Sequence, residues 1–350
     1  MPGFFSKMFS SKKAFAIDIS DDGIQVLETA GLTKSIASFA YAELPPGLMQ
    51  DGRIVDQEKM AAAIRETVAR AAPRPPKMTC VVAELPESQT YLHHITLEAS
   101  VEQKDLADIV MARAEEAIPL DLEASAWDYQ ILTRTKESLE IMFAAAPAEI
   151  VESYEQTLAL AGLDLKILEL ESLALTRAVL DPTKLAAGTG AVVIDIGGRF
   201  TTIAIVDAQG LQLSATMHVA GETFTEAISK KMKSKPEEAE ALKREQGFGD
   251  ATAGDAMRKV LKEIAEEVAA ASAFYTRTKN RQVGQAFLAG GSSALPGLDA
   301  EMSAMLGIPV ALGVPPFSVD GLQPHQIAVV AGLALRARKL SPGINFIATP

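Results

Sequence analysis

Two aspartates that follow apolar runs are the residues best placed to do chemistry in this sequence. Asp195 comes after the run at 190–194 and precedes Gly197 and Gly198, and Asp18 follows a similar run near the N-terminus. Each aspartate is followed by a turn and a second apolar run, which predicts a β-hairpin with a carboxylate at the end of its first strand. Glycines in such a turn allow backbone N–H groups to approach an anion closely. A carboxylate beside that anion can hold a hydrated metal ion or orient a water molecule.

The strand and helix patterns around these aspartates predict an internal duplication. Each half of the chain opens with a meander of three strands, expected near 14–44 and 190–217, and continues with alternating helices and strands. Residues 90–165 differ, because their pattern predicts a compact α+β unit of its own, with a capping box at Ser100 that begins its first helix. We therefore expect two α/β lobes with a subdomain inserted in the first.

The composition favours a cytoplasmic protein that does not bind nucleic acid. The 350 residues include 33 Lys and Arg against 45 Asp and Glu, a net charge of −12, whereas binding to phosphate backbones requires a basic face. The single cysteine, Cys80, excludes an intrachain disulfide and a cysteine-based metal site. No apolar run approaches the roughly 18 residues of a membrane-spanning helix, and no signal peptide is evident.

The two hairpins resemble the two phosphate loops of the superfamily that contains actin, sugar kinases and heat-shock chaperone ATPases. Residues 288–298 are similar to its adenosine motif, which is a strand, a Gly-Gly turn and a helix. Residues 239–243 resemble the helix segment whose Glu and Lys lie near the ribose and base. The four motifs occur in the expected order over most of the chain. The resemblance implies an α/β, two-lobed actin-like (ribonuclease H-like) ATPase fold with an inserted α+β subdomain in the first lobe.

The domain boundaries follow from that resemblance and from the element pattern. The predicted units are a flexible N-terminal tail (1–13), the first lobe (14–89), the inserted subdomain (90–165), a return to the first lobe (166–188), the second lobe (189–222 and 283–320), its cap (223–282), and a first-lobe C-terminal helix and tail (321–350).

The resemblance also implies an ATP and Mg²⁺ site in the cleft between the lobes. Asp195 would orient water or the metal, and Asp18 and Asp195 would hold Mg²⁺ through water. At strand spacing, only one of Thr201 and Thr202 can face the cleft. The nucleotide-binding residues that the resemblance implies are Asp18, Ser20, Gly23, Gly197, Gly198, Thr201, Gly221, Glu240, Lys243, Gly290, Gly291 and Ser292.

The first loop departs from the superfamily pattern. Small residues are expected after Ile-Asp-Ile, whereas this chain has Ser20, Asp21 and Asp22. A carboxylate a few ångström from a phosphate costs on the order of 1–4 kcal/mol. The residues alone therefore leave two interpretations, a phosphate-binding turn and an ordinary surface β-turn. Glu240 and Lys243 also allow two interpretations. They resemble the residues near the ribose and base, but they lie in a charged run that is typical of a solvated helix face.

Within the superfamily, the order of elements is similar to the PilM family of bacterial pilus-assembly proteins and to its cell-division relatives, the FtsA family. Both carry a subdomain inserted in the first lobe. Stretches similar to the PilM family are 116–120, 127–130, 144–147 and 171–175. An FtsA-like chain would be expected to end in an amphipathic membrane helix, whereas the tail here is only 341–350, which counts against that family.

This resemblance implies a cytoplasmic nucleotide-binding scaffold, peripheral to the inner membrane, of a type IV pilus machine or a related secretion system. Its partner would be the cytoplasmic N-terminal peptide of a PilN-like inner-membrane protein, bound between the inserted subdomain and the first lobe. Residues 344–347 are similar to the start of that peptide. A cytoplasmic pilus motor ATPase is a second candidate partner, and membrane association would be indirect.

The chain would be a monomer or weak homo-oligomer and at most a slow ATPase. Two alternatives stay open at this stage. One is an FtsA-like filament-forming cytoskeletal protein, and the other is an active ATPase or kinase of the same superfamily.

Overall fold

The computed structural model describes residues 14–30, 35–186, 188–319 and 321–348, so the tail predicted at 1–13 lies outside the described residues. The strands are β1 (Phe15–Ile19), β2 (Gly23–Thr29), β3 (Ile36–Glu43), β4 (Met49–Gln50), β5 (Arg53–Ile54), β6 (Cys80–Leu85), β7 (Tyr91–Glu98), β8 (Ser125–Arg134), β9 (Ser138–Pro147), β10 (Asp164–Leu170), β11 (Thr189–Ile196), β12 (Thr201–Asp207), β13 (Gly210–Met217), β14 (Gln282–Ala289) and β15 (Val310–Leu312). The helices are α1 (Gln57–Ala69), α2 (Leu106–Glu115), α3 (Ala148–Leu160), α4 (Glu171–Val179), α5 (Gly221–Met232), α6 (Pro236–Gln246), α7 (Ala251–Lys279), α8 (Leu298–Leu306) and α9 (Ala328–Ala337). Within the described ranges, no helix is both long and apolar enough to cross a bilayer.

Two five-stranded sheets share one topology, as the predicted duplication requires. In the first sheet, β1, β2 and β3 form an antiparallel meander, and β6 and β10 follow in parallel beyond β1. In the second, β11, β12 and β13 form the meander, and β14 and β15 follow in parallel beyond β11. Asp18 pairs with Gln25 across the first hairpin, and Asp195 pairs with Thr202 across the second. The two aspartates therefore occupy equivalent positions.

Helices cover the sheets and explain why the central strands are apolar. β1 and β12 are buried at every position, as expected for strands that are covered on both faces. In the second lobe, α5 packs with α7, whose buried stripe includes Val260, Leu261 and Ile264. In the first lobe, α1 packs on α3, and α9 lies against β1, β2 and β6. The C-terminal helix thus returns to the first sheet.

An antiparallel sheet in the order β7-β9-β8 forms the inserted subdomain. Its core includes α2 and a stacked pair, Trp127 and Phe143, with ring centroids 5.6 Å apart. The capping box predicted at Ser100 is wrong, because Ser100 Oγ donates to Glu98 at 3.2 Å and α2 begins only at Leu106. α3 lies inside the boundaries predicted for this subdomain, but its buried face packs into the core of the first lobe.

Helices α4 and α9 cross with their backbones in contact where the lobes meet. A Cβ built on Gly332 of α9 would lie 1.8 Å from the carbonyl oxygen of Ala174 in α4, so only glycine fits there. Arg177 donates to Gly332 O at 3.1 Å and forms a bidentate pair with Glu169 at 2.7 and 2.8 Å. Arg336 of α9 also pairs with Glu169, which is fully buried. Because α4 contacts strands of both sheets, this crossing fixes the position of one lobe relative to the other.

The C-terminal segment that follows α9 lies between β10 and β8. Asn345 Oδ1 accepts a hydrogen bond from Leu168 N, and Phe346 N donates to Leu168 O, both at 2.9 Å. Asn345 N donates to Asp128 Oδ2 of the inserted subdomain at 2.9 Å. The side chains of Ile344 and Phe346 are buried in the core of the first lobe. The segment therefore ties the inserted subdomain to the first lobe.

Gly332→Ala tests the crossing of α4 and α9. The added methyl group cannot fit against the Ala174 carbonyl, so we expect the free energy of unfolding to fall by more than about 2 kcal/mol, at the upper end of the cost of overpacking. Denaturant titration followed by circular dichroism measures this. Gly249→Ala is the matched control, because a Cβ there meets nothing within 4 Å. Equal stability of the two variants would contradict the close crossing.

Candidate functional site

A cleft of about 1060 Å³ lies between the two sheets and is lined by residues of both lobes. It collects the two hairpin turns, the start of α5, part of α6 and the turn after β14. The predicted site residues that line it are Asp18, Ser20, Asp195, Gly197, Gly198, Gly221, Glu240, Lys243, Gly290, Gly291 and Ser292. Stretches that are far apart in the sequence thus converge on one cleft.

Two predicted site residues, Gly23 and Thr201, are not among the residues that line this cleft. A Cβ on Gly23 would lie 2.6 Å from the carbonyl oxygen of Ala42, so the neighbouring strand explains this glycine without an anion. Thr201 is fully buried, and its hydroxyl donates to Val219 O at 2.7 Å. Thr202 lines the cleft instead, because successive side chains of a strand point to opposite faces.

Glycines allow the second hairpin turn, α5 and the turn after β14 to meet around Asp195. Gly221 N donates to Gly197 O at 3.0 Å, and Ser292 Oγ donates to the same oxygen at 3.2 Å. A Cβ on Gly221 would lie 2.6 Å from Ser292 Oγ. One on Gly290, whose φ is +84°, would lie 2.2 Å from Asp195 Oδ1. The backbones therefore approach one another, and the Asp195 carboxylate, too closely for any side chain.

Lys243 of α6 is buried and bonds to the start of α5. Its Nζ donates to Gly221 O at 2.9 Å and to Thr225 Oγ1 at 2.8 Å, and it pairs with Glu240 at 2.6 Å. Burial lowers the pKa of Lys243, although the Glu240 carboxylate opposes this shift. Burial opposes the ionisation of Glu240, but hydrogen bonds from Lys243, Thr225 and Arg244 hold its pKa at about 2. The solvated-face interpretation is therefore wrong for Lys243.

Asp18 and Asp195 are buried carboxyl groups in this cleft. Burial, followed by the charges of Asp195 and Asp22, raises the pKa of Asp18 to about 7. Burial and the charge of Asp22 raise the pKa of Asp195 to about 7. A cation placed beside these groups would favour their ionised forms. The position therefore suits either a bound cation or retained protons.

Among the carboxylates that line the cleft, sequence reasoning missed Glu84 and Glu171, whose pKa values are strongly shifted. Glu84 lies in β6, and Glu171 is the first residue of α4. Burial and the charge of Asp18 raise the pKa of Glu84, and burial and the charge of Asp195 raise that of Glu171, both well above the usual range. Each glutamate comes at the end of an apolar strand, which was the signal available in the sequence.

The first loop faces the second loop across the cleft. Asp22 Oδ2 accepts a hydrogen bond from Gly198 N at 2.8 Å. Asp21 pairs with Arg199 at 3.1 Å and accepts from Gly52 N at 3.0 Å. The loop is a β-turn closed by backbone hydrogen bonds between Ser20 and Gly23, and both of its carboxylates are bonded to the opposite lobe.

Unpartnered polar atoms in the cleft fit a polar ligand such as a nucleotide. Gln25 Oε1, Glu84 Oε2 and His325 Nε2 are buried and have no hydrogen-bond partner among the described residues, and all three residues line the cleft. Lys243 and Arg199 already pair with carboxylates, so a phosphate group here would need a divalent cation to balance its charge. In the part of the chain that the structure describes, no group of three or more His, Cys, Asp or Glu is arranged to hold a metal directly. The carboxylates of the cleft can still contact a metal ion through bridging water molecules.

Comparison with known proteins identifies the family. The profile of the family described as type IV pilus assembly protein PilM matches residues 16–336. Among solved structures, the chain is similar to the PilM-PilN type IV pilus biogenesis complex. The identity is 25%, 93% of this chain and 99% of that chain are covered, and the TM-score is 0.80.

Two further structures share the fold. The ethanolamine utilization protein EutJ from Carboxydothermus hydrogenoformans is 18% identical, with 93% of this chain and 90% of that chain covered and a TM-score of 0.59. MreB5 of Spiroplasma citri bound to AMPPNP is 13% identical, with 94% of this chain and 98% of that chain covered and a TM-score of 0.54. These likenesses confirm the predicted two-lobed actin-like fold.

Asp195→Asn tests the buried carboxyl pair through the pH dependence of stability. With pKa values of about 7 in the folded chain against a usual 3.8, stability is full below pH 3.8 and falls as the pH rises towards 7. The neutral amide removes one of the two groups that repel each other. We expect the midpoint of thermal unfolding to rise by roughly 2–4 °C at pH 8, for about 1 kcal/mol of relieved repulsion, and to rise less at pH 5, where the folded chain keeps these groups mostly protonated.

Scanning calorimetry at both pH values measures this effect. Asp121→Asn is the control, because that exposed carboxylate caps a turn in the inserted subdomain. A shift of the same size at pH 5 and pH 8 would show that charge repulsion at Asp195 is not the cause.

Proposed function

The chain belongs to the family of the type IV pilus assembly protein PilM, and on that premise we propose that it is a nucleotide-responsive, actin-like scaffold of a type IV pilus machine. The family match over residues 16–336 carries this proposal. It is supported by the TM-score of 0.80 to a PilM-PilN complex. The protein acts at the cytoplasmic face of the inner membrane, with its membrane association indirect, as a monomer or weak homo-oligomer.

Its partner is a PilN-like inner-membrane protein, bound through the cytoplasmic N-terminal peptide of that protein. The place we propose is the boundary between the inserted subdomain and the first lobe. The chain's own C-terminal segment (343–347) supports this choice, because it lies at that boundary and contacts both units. Asn345 bonds β10 and the Asp128 carboxylate, while Ile344 and Phe346 fill apolar positions. A partner peptide of similar chemistry would make the same contacts. A pilus motor ATPase is a second candidate partner.

The nucleotide is ATP with Mg²⁺. Asp18 and Asp195 would hold the metal through water, and the glycines of the second loop and Ser292 would bind the phosphates. Glu240 and Lys243 would orient α6 beside the nucleoside. The bound Mg²⁺ supplies the positive charge that neutralises the phosphates. Thr202 replaces Thr201 in this assignment, because its side chain lines the cleft.

Turnover is slow at most. The cleft has more acidic than basic groups, and burial raises the pKa values of Glu84 and Glu171 well above their usual range, which favours their protonated forms. A carboxyl group acts as a general base only when it is ionised, so this shift works against activation of an attacking water molecule. Nucleotide occupancy therefore acts on conformation rather than through rapid hydrolysis.

Calorimetry with a synthetic N-terminal peptide of the neighbouring PilN-like protein tests the scaffold function. We expect saturable binding with a micromolar dissociation constant and no binding of a scrambled peptide. Asn345→Ala should tighten binding several-fold, because it loosens the segment that occupies the proposed site. No binding by any plausible partner peptide would overturn the function, whereas binding that Asn345→Ala leaves unchanged would move the site elsewhere.

Titration of ATP with and without Mg²⁺ tests the nucleotide assignment. For Asp195→Asn we expect the gain in affinity that Mg²⁺ provides to fall about tenfold, because a ligand of the metal shell is lost. Asp121→Asn should keep the Mg²⁺ effect of the parent chain. An unchanged Mg²⁺ effect would remove Asp195 from the site. Light scattering in the same samples separates the scaffold from the filament-forming alternative, which predicts a strong rise with Mg²⁺ and ATP.

A further inference from the structure

A side-chain to backbone hydrogen bond is one of the contacts that join the two glycine-containing loops across the cleft. The Asp22 carboxylate of the first loop accepts from the backbone N–H of Gly198 in the second at 2.8 Å. A Cβ on Gly198 would lie 2.4 Å from Asp22 Oδ1 and 2.7 Å from Oδ2. The carboxylate is therefore pressed against the bare Cα of Gly198. This is the space in which a glycine turn can hold an anion on its backbone amides.

The neighbouring Asp21 holds the first loop in that place. Its two carboxylate oxygens accept from Asp51 N and Gly52 N, both at 3.0 Å. Arg199 of the second loop pairs with Asp21 at 3.1 Å and with Asp51 at 3.5 Å. The Asp21 side chain is only 7% exposed. The guanidinium next to Gly198 is thus already neutralised by carboxylates of the opposite lobe.

The two carboxylates of the first loop differ in how easily they can move. Asp21 has several donors and is buried, whereas Asp22 is exposed to the cleft and bonds the Gly198 amide. A single hydrogen bond to an exposed carboxylate contributes little net stability. Asp21 can therefore hold the loop in place while the Asp22 carboxylate leaves the Gly198 amide.

We propose that Asp22 is a built-in anion that occupies the amide of the second loop and latches the two lobes, so that a nucleotide phosphate binds Gly198 only by displacing it. Displacement of Asp22 by a phosphate rests on the proposed nucleotide binding, whereas the latch between Asp22 and Gly198 does not. A phosphate oxygen and the Asp22 carboxylate cannot share one amide, because like charges at contact distance repel strongly. Nucleotide binding therefore breaks a contact between the lobes. By reciprocity, a partner whose binding opens the lobes raises the affinity for the nucleotide.

The latch is tested first without nucleotide. Hydrogen–deuterium exchange of a peptide that covers 197–200 reports the Gly198 amide. In Asp22→Ala we expect exchange of that amide to accelerate at least about tenfold, because its acceptor is gone. Asp121→Ala is the matched control, since Asp121 also accepts from a backbone amide, Glu123 N at 3.1 Å, but lies on the surface of the inserted subdomain. Unchanged exchange in Asp22→Ala overturns the latch.

The displacement is tested with Mg²⁺-ATP and with adenosine. Asp22→Ala should bind Mg²⁺-ATP about fivefold or more tightly than the parent chain, within the usual range of coupling, and should bind adenosine equally well. Glu43→Gln removes one charge from a carboxylate that also lines the cleft, so it measures the effect of charge alone and should gain less than about twofold.

Equal gains for Asp22→Ala and Glu43→Gln would overturn displacement and leave only a general charge effect. Accelerated exchange at Gly198, with no nucleotide bound by any variant, would support the latch and count instead against the nucleotide binding of the proposed function.

Discussion

The contact between Gly332 and the Ala174 carbonyl is the constraint on which the cleft depends. It allows α9, which lies on the first sheet, to cross α4, which touches both sheets. The pairs that Arg177 and Arg336 make with buried Glu169 hold the crossing from both helices. Breaking one member of such a buried network leaves an uncompensated charge, which is why such networks resist rearrangement. The position of each loop in the cleft follows from this junction.

The duplicated sheets bring their strand-end carboxylates together in that cleft. Asp18 and Asp195 come from equivalent strands, and Glu84 and Glu171 join them from the parallel strands and α4. Burial, and after it the neighbouring charges, raise the pKa values of these groups, so the floor of the cleft holds protons or attracts a cation. An acidic floor with its few cations already paired suits occupancy by a metal-bound anion better than rapid phosphate chemistry. This is the physical argument for the scaffold proposed above.

The proposed partner site and the cleft are close along one strand. The C-terminal segment bonds β10 at Leu168, and the same strand leads directly into Glu171, which lines the cleft. The inserted subdomain reaches the second lobe as well, through an ion pair between Glu140 and Lys279 at 3.0 Å. A change in lobe position can therefore act on the boundary of the inserted subdomain through β10 and through the Glu140–Lys279 ion pair. Rigid-body shifts of this kind are a common means of coupling distant sites.

The sequence by itself determined the two hairpins, the inserted subdomain, the four motifs of the cleft and the family. These depend on local patterns, namely the period of apolar residues and the chemistry of turns, which a linear chain displays directly. The tertiary structure alone decided that Thr202 rather than Thr201 faces the cleft, that Lys243 is buried, and that Glu84 and Glu171 are part of the floor. It also decided what the unusual first loop does, because the Asp22 carboxylate meets an amide 176 residues away. No local pattern encodes such a meeting, since it arises only when α4 and α9 set one lobe against the other.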